Sequence, residues 1–209
     1  MTQVLLAIDT SSGTAVAVLV DGKIISDLYE DDTMLHAEQI GVQIQKCLEA
    51  ADKKSSDVTA VAVGVGPGPF TGLRVGIAAA KMFSEGVSAP IFGVGSLDAI
   101  AFAESLEKPT LVLTDARRSE VYFGLYQGKT RSLVPRTLLG PGVKKQAELE
   151  QELLGAGHSY QLASGRVSAA NLGLLALAQL TEGTASSVVA ANYLRAPDAV
   201  PAKGKRVSG

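Results

Sequence analysis

The chain opens with short apolar segments separated by polar turns. Residues 4–8 are uniformly apolar, Asp9 and a Ser- and Gly-containing stretch follow, and residues 15–20 are apolar again. Apolar runs of this length, bounded by turn residues, are typical of buried β-strands. A third strand is predicted over residues 24–29, after a Gly-Lys turn, so the chain begins with three antiparallel strands.

The same layout occurs a second time. Residues 4–23 align with residues 110–129 without a gap, and an aspartate and a final Gly-Lys pair fall in register. Each piece reads as an apolar strand, a short polar turn and an alternating strand. We therefore expect two related halves, residues 1–106 and residues 107–209, with a loose tail from about residue 198.

Helices and strands alternate after the three strands of the first half. Apolar residues at helical spacing predict helices over residues 37–50, over 72–86 and from 97 onward, with strands at 58–65 and 91–94. Three antiparallel strands followed by this alternation is the ribonuclease-H-like arrangement. Two such halves form the actin-like ATPase (ASKHA) architecture, an α/β fold with two mixed sheets.

The second half shows the same order less completely. Helices are predicted over residues 144–154 and 169–180, with a short strand near residue 160. The shorter pattern indicates a reduced second half.

A glycine-rich segment, GVGPGPFTGLRVG at residues 64–76, joins a strand to a helix, which is where phosphate-binding loops lie. It lacks the Lys-Ser or Lys-Thr pair of the Walker motif and the spacing of the dinucleotide motif. Pro67 and Pro69 have no N–H, so two donors that a phosphate cradle needs are missing. We predict a rigid turn whose glycines adopt positive φ, with Thr71 capping the helix.

The helix after this loop is apolar on two sides. One stripe contains Leu73, Gly76, Ile77 and Ala80, and the other contains Val75, Ala79, Met82, Phe83 and Gly86. A helix that is apolar on two sides is usually buried on both. One stripe can pack on its own sheet, while the other is covered by a second domain or by another chain. The pattern leaves open an internal core helix or a subunit interface, with either stripe outward.

Composition narrows the classes of function. The formal net charge of the 209 residues is −2, so no general basic field attracts nucleic acid, and an RNA contact is local or comes through a partner. The single cysteine, Cys47, fits a reducing compartment. The N-terminus has no basic region before its apolar run, and no later run is long enough for a membrane span. We expect a cytoplasmic protein with no membrane partner.

The loop after the first strand is the one candidate for cofactor binding. In actin-like ATPases the equivalent loop grips phosphates, which makes Asp9, Ser11, Ser12 and Gly13 weak candidates. The alternative is an ordinary Ser- and Gly-rich hairpin turn. Because the counterpart loop at residues 116–120 has no glycine, we expect no bound cofactor.

Other reactive residues give little support for catalysis. His36 and His158 have no second histidine at metal-ligand spacing, so we expect no metal. Cys47 lies on the apolar face of its predicted helix, as an inert core thiol would. Arg117 and Arg118 could meet an anion or an acidic partner, although charges in a turn are usually solvated.

Several segments together resemble the TsaB (YeaZ) family. They are IDTSSGTAVAVL, HAE, AVGVGPGPFTGLRVGIAAAK, GVGSLDAIA, DARRSEVY and YLRAP. The resemblance spans nearly the whole chain. It departs at Pro69, where the family more often has Ser, and across residues 130–166, which match poorly. It implies the bacterial partner subunit in making threonylcarbamoyladenosine in tRNA.

The resemblance also implies what this chain lacks. The related catalytic subunit, TsaD, carries two metal-binding histidines at i and i+4, and these positions fall here on Ser96 and Ile100. The implied protein kept an actin-like fold, lost the metal site and is not itself an enzyme. Its implied partners are a TsaD-like catalytic subunit, a TsaE-like ATPase and a second copy when alone, with tRNA reached only through the complex.

The resemblance places the contact with partner chains on the helices of the first half. We predict that the following residues carry it: Ile40, Ile44, Leu48, Leu73, Gly76, Ile77 and Ala80. Two other functions stay open. One is an active actin-like ATPase or small-molecule kinase with Asp9 holding magnesium, and the weaker one is a metallopeptidase-type hydrolase.

Overall fold

The computed structural model describes residues 2–31 and 36–195, and the predicted loose tail from about residue 198 lies outside them. The first half contains the strands β1 (Val4–Asp9), β2 (Thr14–Val20), β3 (Lys23–Glu30), β4 (Ala60–Gly64) and β5 (Ile91–Val94). Its helices are α1 (His36–Ala50), α2 (Phe70–Val87) and α3 (Ser96–Ala103). The second half contains β6 (Thr110–Asp115), β7 (Glu120–Lys129), β8 (Pro135–Lys145), α4 (Gln146–Gly155), β9 (Gln161–Ser164) and α5 (Ala169–Glu182).

Both halves carry a mixed sheet built in the same way. The first sheet has the order β3-β2-β1-β4-β5 and the second the order β8-β7-β6-β9. Asp9 pairs with Ala15 in the first hairpin, and Asp115 pairs with Val121 in the second. The partner lies six residues ahead in each case, so the duplicated layout and the predicted two-sheet α/β fold are confirmed.

The structure differs from the sequence analysis at two places, one a strand that was not predicted and one a prediction that is wrong. Strand β8 is absent from the sequence-based assignment, yet it forms the outer edge of the second sheet. The predicted cap at Thr71 is also incorrect, because α2 begins at Phe70 and Pro69 occupies the cap position without a side-chain hydrogen bond. Thr71 therefore lies inside the first turn. The glycine loop does contain a positive φ, at Gly66.

Each half covers the sheet of the other. Helix α5, from the second half, packs on all five strands of the first sheet, and α3, from the first half, packs on all four strands of the second. Side chains from both halves therefore form one apolar cluster, which joins Leu5 and Leu19 to Val112 and Leu172. The outer face of the first sheet packs on α1 and α2 in a separate cluster.

The boundaries of α5 follow from its sequence. The hydroxyl of Ser168 accepts a hydrogen bond from the Asn171 N–H at the start, and Gly183 ends the helix in the left-handed region. Beyond it, the segment of residues 184–195, which we call the strap, turns back to the first half. The Gly93 N–H donates to the Ser186 carbonyl at 2.9 Å, and the Asn192 N–H donates to the Val65 carbonyl at 2.7 Å.

Candidate functional site

Asp9, the first candidate for cofactor binding, is a buried carboxylate held by hydroxyl groups. It is 1% exposed. Its Oδ1 accepts hydrogen bonds from the N–H of Ser11 at 2.8 Å and from Ser11 Oγ at 2.6 Å. Its Oδ2 accepts from Ser96 Oγ at 2.7 Å. These bonds compensate the burial of a charge, so the carboxylate is engaged in the protein itself.

Ser12 lies where the two halves meet, and Gly13 lies against Tyr29 of the first half. Ser12 Oγ accepts a hydrogen bond from the Val167 N–H at 3.0 Å, and its carbonyl accepts from the Tyr29 hydroxyl. Burial, together with a hydrogen bond to Asp31, raises the pKa of Tyr29 to about 12, so this hydroxyl remains a donor at neutral pH. The loop therefore fastens the first hairpin to the second half.

A cleft of about 350 Å³ opens above this loop, between the two halves. It is lined by Ser11, Ser12, Pro69, Thr114, Asp115, Arg117, Gly165 and Arg166. The structure thus brings the candidates Ser11 and Ser12 to the cleft, whereas Asp9 lies beneath it. Two arginines at the cleft were not grouped by the sequence, because Arg117 and Arg166 are 49 positions apart and come from different loops.

Thr10 holds helix α2 against the same loop. It is 1% exposed, and its Oγ1 donates to the Gly72 carbonyl at 2.7 Å. A Cβ at Gly76 would collide with this hydroxyl, so a residue without a side chain is needed for the close approach. Helix α2 is thereby fixed to the first hairpin at its first two turns.

The residues predicted for a partner contact all pack within the chain. Gly76 is buried in α2. The other six belong to one apolar cluster: Ile40, Ile44, Leu48, Leu73, Ile77 and Ala80. Their burial comes from the chain's own first sheet. Their share in a contact with another chain remains a prediction, and Ala80, at 0% exposed, leaves no surface for one.

The second apolar stripe of α2 faces outward. Met82 is 77% exposed, while Val75, Ala79 and Phe83 are half-buried. A groove of about 500 Å³ runs beside this stripe between Phe83 and helix α1, where Gly41 and Gln45 line it together with the predicted contact residues Ile44 and Leu48. We call the following residues the α1–α2 face: Gly41, Gln45, Val75, Ala79, Met82 and Phe83. The sequence had left open which stripe was outward, and the structure decides for this one.

Other reactive groups are not gathered into a site. Within residues 2–31 and 36–195, no three His, Cys, Asp or Glu side chains lie together as metal ligands would. Cys47 is buried, and burial raises the pKa of its thiol. The side chain of His36 lies outside the described part of the structure. None of the described helices is both long and apolar enough to cross a bilayer.

Comparison with known proteins decides the family. The model of the family described as "TsaD: tRNA N6-adenosine threonylcarbamoyltransferase" matches residues 30–191. The Bacillus subtilis "tRNA threonylcarbamoyladenosine biosynthesis protein TsaB" is 30% identical over 76% of this chain and 72% of that protein. The chain belongs to the TsaB (YeaZ) family.

Two further similar proteins cover more than nine tenths of the chain. An uncharacterised protein of Mycobacterium tuberculosis is 34% identical over 94% of this chain and 93% of that protein. The solved structure of YeaZ from Pseudomonas aeruginosa superposes with a TM-score of 0.75, at 25% identity, over 92% of this chain and 100% of that chain. The resemblance predicted from the sequence segments is therefore confirmed.

Proposed function

We propose that this chain is a non-catalytic subunit of the machinery that makes threonylcarbamoyladenosine in tRNA. It dimerises with a TsaD-like subunit and activates that subunit, which transfers the threonylcarbamoyl group to the adenosine beside the anticodon. The observation that carries the proposal is the exposed apolar stripe of α2, with Met82 77% exposed. Relatives named as tRNA threonylcarbamoyladenosine biosynthesis proteins supply the pathway.

The contact surface is the α1–α2 face. Exposed apolar side chains on α2, beside a groove against α1, are typical of a surface that another protein covers. The buried stripe supports this face from below, because Leu73, Ile77 and Ala80 fix α2 on the first sheet. A second copy of this chain uses the same face when the TsaD-like subunit is absent. A TsaE-like ATPase joins the assembled pair, in the cytoplasm.

The absence of catalysis rests on the chemistry of the loops. Asp9 is surrounded by hydroxyl donors from Ser11 and Ser96, which leaves it poorly placed to hold a metal. The prolines of the glycine loop remove N–H donors that would face a phosphate. The reaction belongs to the partner, and tRNA reaches this chain as part of the complex.

The partner contact is tested with Met82→Glu, which places a charge on the α1–α2 face. The matched control is Leu138→Glu, the same kind of change at a residue that is 50% exposed on β8. Affinity for the TsaD-like subunit is measured by calorimetric titration, and threonylcarbamoyl transfer is measured with the reconstituted complex. We expect Met82→Glu alone to weaken both, by about tenfold or more, because a buried unpaired charge is costly.

Ala80, although predicted for the contact, is unsuited to this test, because it lies in the core and a charged substitution there would destabilise the fold itself. If Met82→Glu associates with the TsaD-like subunit as tightly as the control does, the α1–α2 face is not the contact. If the wild-type chain does not associate at all, the proposed function is wrong.

The second candidate is an active ATPase or small-molecule kinase, which the two arginines and two serines of the cleft favour. Calorimetric titration of the chain with ATP and magnesium distinguishes it. We expect no saturable heat, because Asp9 is engaged by protein donors. Saturable heat at one site per chain would place this candidate ahead of the proposal.

A further inference from the structure

Two aromatic rings and an arginine are stacked on one another at the start of α2. The guanidinium of Arg74 lies over the Phe70 ring, 3.8 Å from its centroid. The ring of Tyr193, from the strap, packs on Phe70 with a centroid distance of 4.7 Å. The Arg74 Nε donates to the Tyr193 hydroxyl at 3.0 Å, while Tyr193 stays 41% exposed. These contacts hold a flat cationic and aromatic surface in a fixed orientation.

The strap joins this surface to a second group of arginines. Two residues after Tyr193, the guanidinium of Arg195 donates to the Ala116 carbonyl and lies 3.6 Å from Glu120. The two residues that follow Ala116 in the sequence, Arg117 and Arg118, are exposed in the turn between β6 and β7. Arg117 also lines the cleft with Pro69, the neighbour of Phe70. We call Arg74, Arg117, Arg118, Tyr193 and Arg195 the arginine patch.

Positive charge is concentrated at the arginine patch although the chain as a whole is slightly acidic. The patch holds four of the seven arginines between residues 2 and 195. Two carboxylates accompany it, Asp115 and Glu120, and the second is already opposite Arg195. The patch therefore carries a local excess of positive charge, with four arginines beside two carboxylates, and this excess attracts anions.

We propose that the arginine patch binds RNA directly. The exposed arginines Arg74, Arg117 and Arg118 contact backbone phosphates, Arg195 anchors the strap beside them, and Tyr193 stacks on an unpaired base. This inference rests on the proposed function, since the RNA that the complex acts on is tRNA. It goes further in assigning to this subunit a surface that touches the RNA itself.

RNA fits the arginine patch better than an acidic protein segment does. Phosphates and carboxylates would both pair with the arginines, but only a nucleic acid also offers flat bases to an exposed ring. Tyr193 is held with its ring partly open and beside a stacked guanidinium, which is the combination that single-stranded nucleic acid uses. An acidic protein partner would instead be revealed by a loss of association with the TsaD-like subunit while tRNA binding stays unchanged.

The experiment compares Arg117→Glu with a matched control, Arg131→Glu. Arg131 is also exposed in a turn, but it follows the far end of the ten-residue strand β7. It therefore lies roughly 30 Å from Arg117. An unmodified tRNA transcript is titrated into the complex of each variant with the TsaD-like subunit, and into the isolated chain, by fluorescence anisotropy at several salt concentrations. A third variant, Tyr193→Leu, removes the aromatic ring without changing the charge.

We expect Arg117→Glu to raise the Kd for tRNA by about fivefold or more and to lower the slope of log affinity against log salt by about 0.7–0.9. Arg131→Glu changes neither quantity. Tyr193→Leu raises the Kd by about fivefold or more with the salt slope unchanged, because stacking involves no counterion release.

Three results would overturn the inference. Equal Kd values for the Arg117→Glu and Arg131→Glu complexes would show that the patch does not touch RNA. Loss of association with the TsaD-like subunit in Arg117→Glu, with unchanged tRNA binding by the isolated chain, would assign the patch to an acidic protein segment. An unchanged Kd in Tyr193→Leu would remove the stacked base. If the wild-type chain fails to bind the TsaD-like subunit, the proposed function fails separately, and the comparison in the isolated chain still decides the RNA contact.

Discussion

At the scale of single residues, two acids connect helix α3 to both sheets: Asp9, which is buried, and Asp98, which is half-buried. Ser96, the first residue of α3, donates to Asp9 in the first hairpin. Two positions later, Asp98 accepts a hydrogen bond of 2.7 Å from the Tyr126 hydroxyl in the second sheet. Each carboxyl group thus gains a hydroxyl partner from a distant part of the chain, which offsets the cost of burying it.

Ser96→Ala is expected to destabilise the chain by about 1–3 kcal/mol, because Asp9 Oδ2 loses a buried hydrogen-bond donor. Ser55→Ala is the matched control, since Ser55 is exposed on a short 3₁₀ turn. The free energy of unfolding is measured by urea denaturation followed by circular dichroism. Equal stabilities for the two variants would show that the bond contributes nothing.

Asp98 makes the stability depend on pH. Burial raises its pKa above 3.8, and the hydrogen bond from Tyr126 opposes that shift in part. The folded chain therefore holds this proton more tightly than the unfolded chain does. Its contribution is fully present below about pH 4 and is lost as the pH rises through the folded-state pKa.

We expect Asp98→Asn to stabilise the chain relative to wild type more at pH 7 than at pH 4, since the amide carries no charge to bury. Thermal unfolding midpoints of both proteins at the two pH values measure this. Glu107→Gln, at an exposed position, serves as the control and should show the same difference from wild type at both pH values. A pH-independent difference for Asp98→Asn would contradict the argument.

The sequence could identify Asp9 as a special residue, because an aspartate interrupts an apolar strand at a turn. It could not identify Ser96 as its partner. The two lie 87 positions apart, and only the pairing of β1 with β4 and the packing of α3 bring them together. For the same reason, the arginines of the cleft and the pairing of Tyr193 with Arg74 appear only in the folded chain.

At the scale of elements, the close approach of helix α2 to the loop after β1 depends on Gly76. Gly76→Ala should destabilise the chain by about 1–3 kcal/mol, because the new methyl group meets the buried Thr10 hydroxyl and the loop must shift. Gly86→Ala in the same helix is the control, since nothing lies within 4 Å of its would-be Cβ. It should stabilise the helix by about 0.5–1 kcal/mol.

Urea denaturation of both glycine variants measures these changes. Equal effects at Gly76 and Gly86 would mean that helix propensity alone decides, and that the contact with Thr10 does not fix α2. A Gly76→Ala variant as stable as wild type would also show that the position of α2 does not depend on its close contact with the loop that lines the cleft.

The sequence predicted most helices and strands. It failed where the local residue preferences disfavour the structure that packing in the folded chain produces. Strand β8 was missed because PRTLLGPGVKK contains two prolines and two glycines, and Leu138 and Leu139 stay exposed at the sheet edge. The two stripes of α2 were both found, because helical periodicity is strong there. Their roles could not be assigned, since small residues such as Gly76 and Ala80 reveal burial only once their neighbours are known.

At the scale of the whole molecule, the two halves are related by their layout but share a core. The first sheet is built from strands β1 to β5 and the second from strands β6 to β9. The helix that ends each half nevertheless packs on the sheet of the other. Neither sheet can bury its inner face without the other half, so we expect the halves to unfold together.

Leu172→Ala tests this shared core. Leu172 lies on α5 in the second half, is 0% exposed and belongs to the cluster that both sheets form. Its truncation should cost about 2–5 kcal/mol. Native-state hydrogen exchange then follows the amides of β1 in the first sheet and β6 in the second, with Leu138→Ala at the exposed edge as the control. If the chain is one cooperative unit, the opening free energy of both strands falls by the same amount, because the slowest amides exchange only through global unfolding. A loss confined to either sheet would mean that the two halves open independently, and the cleft between them would then be a hinge rather than a fixed surface.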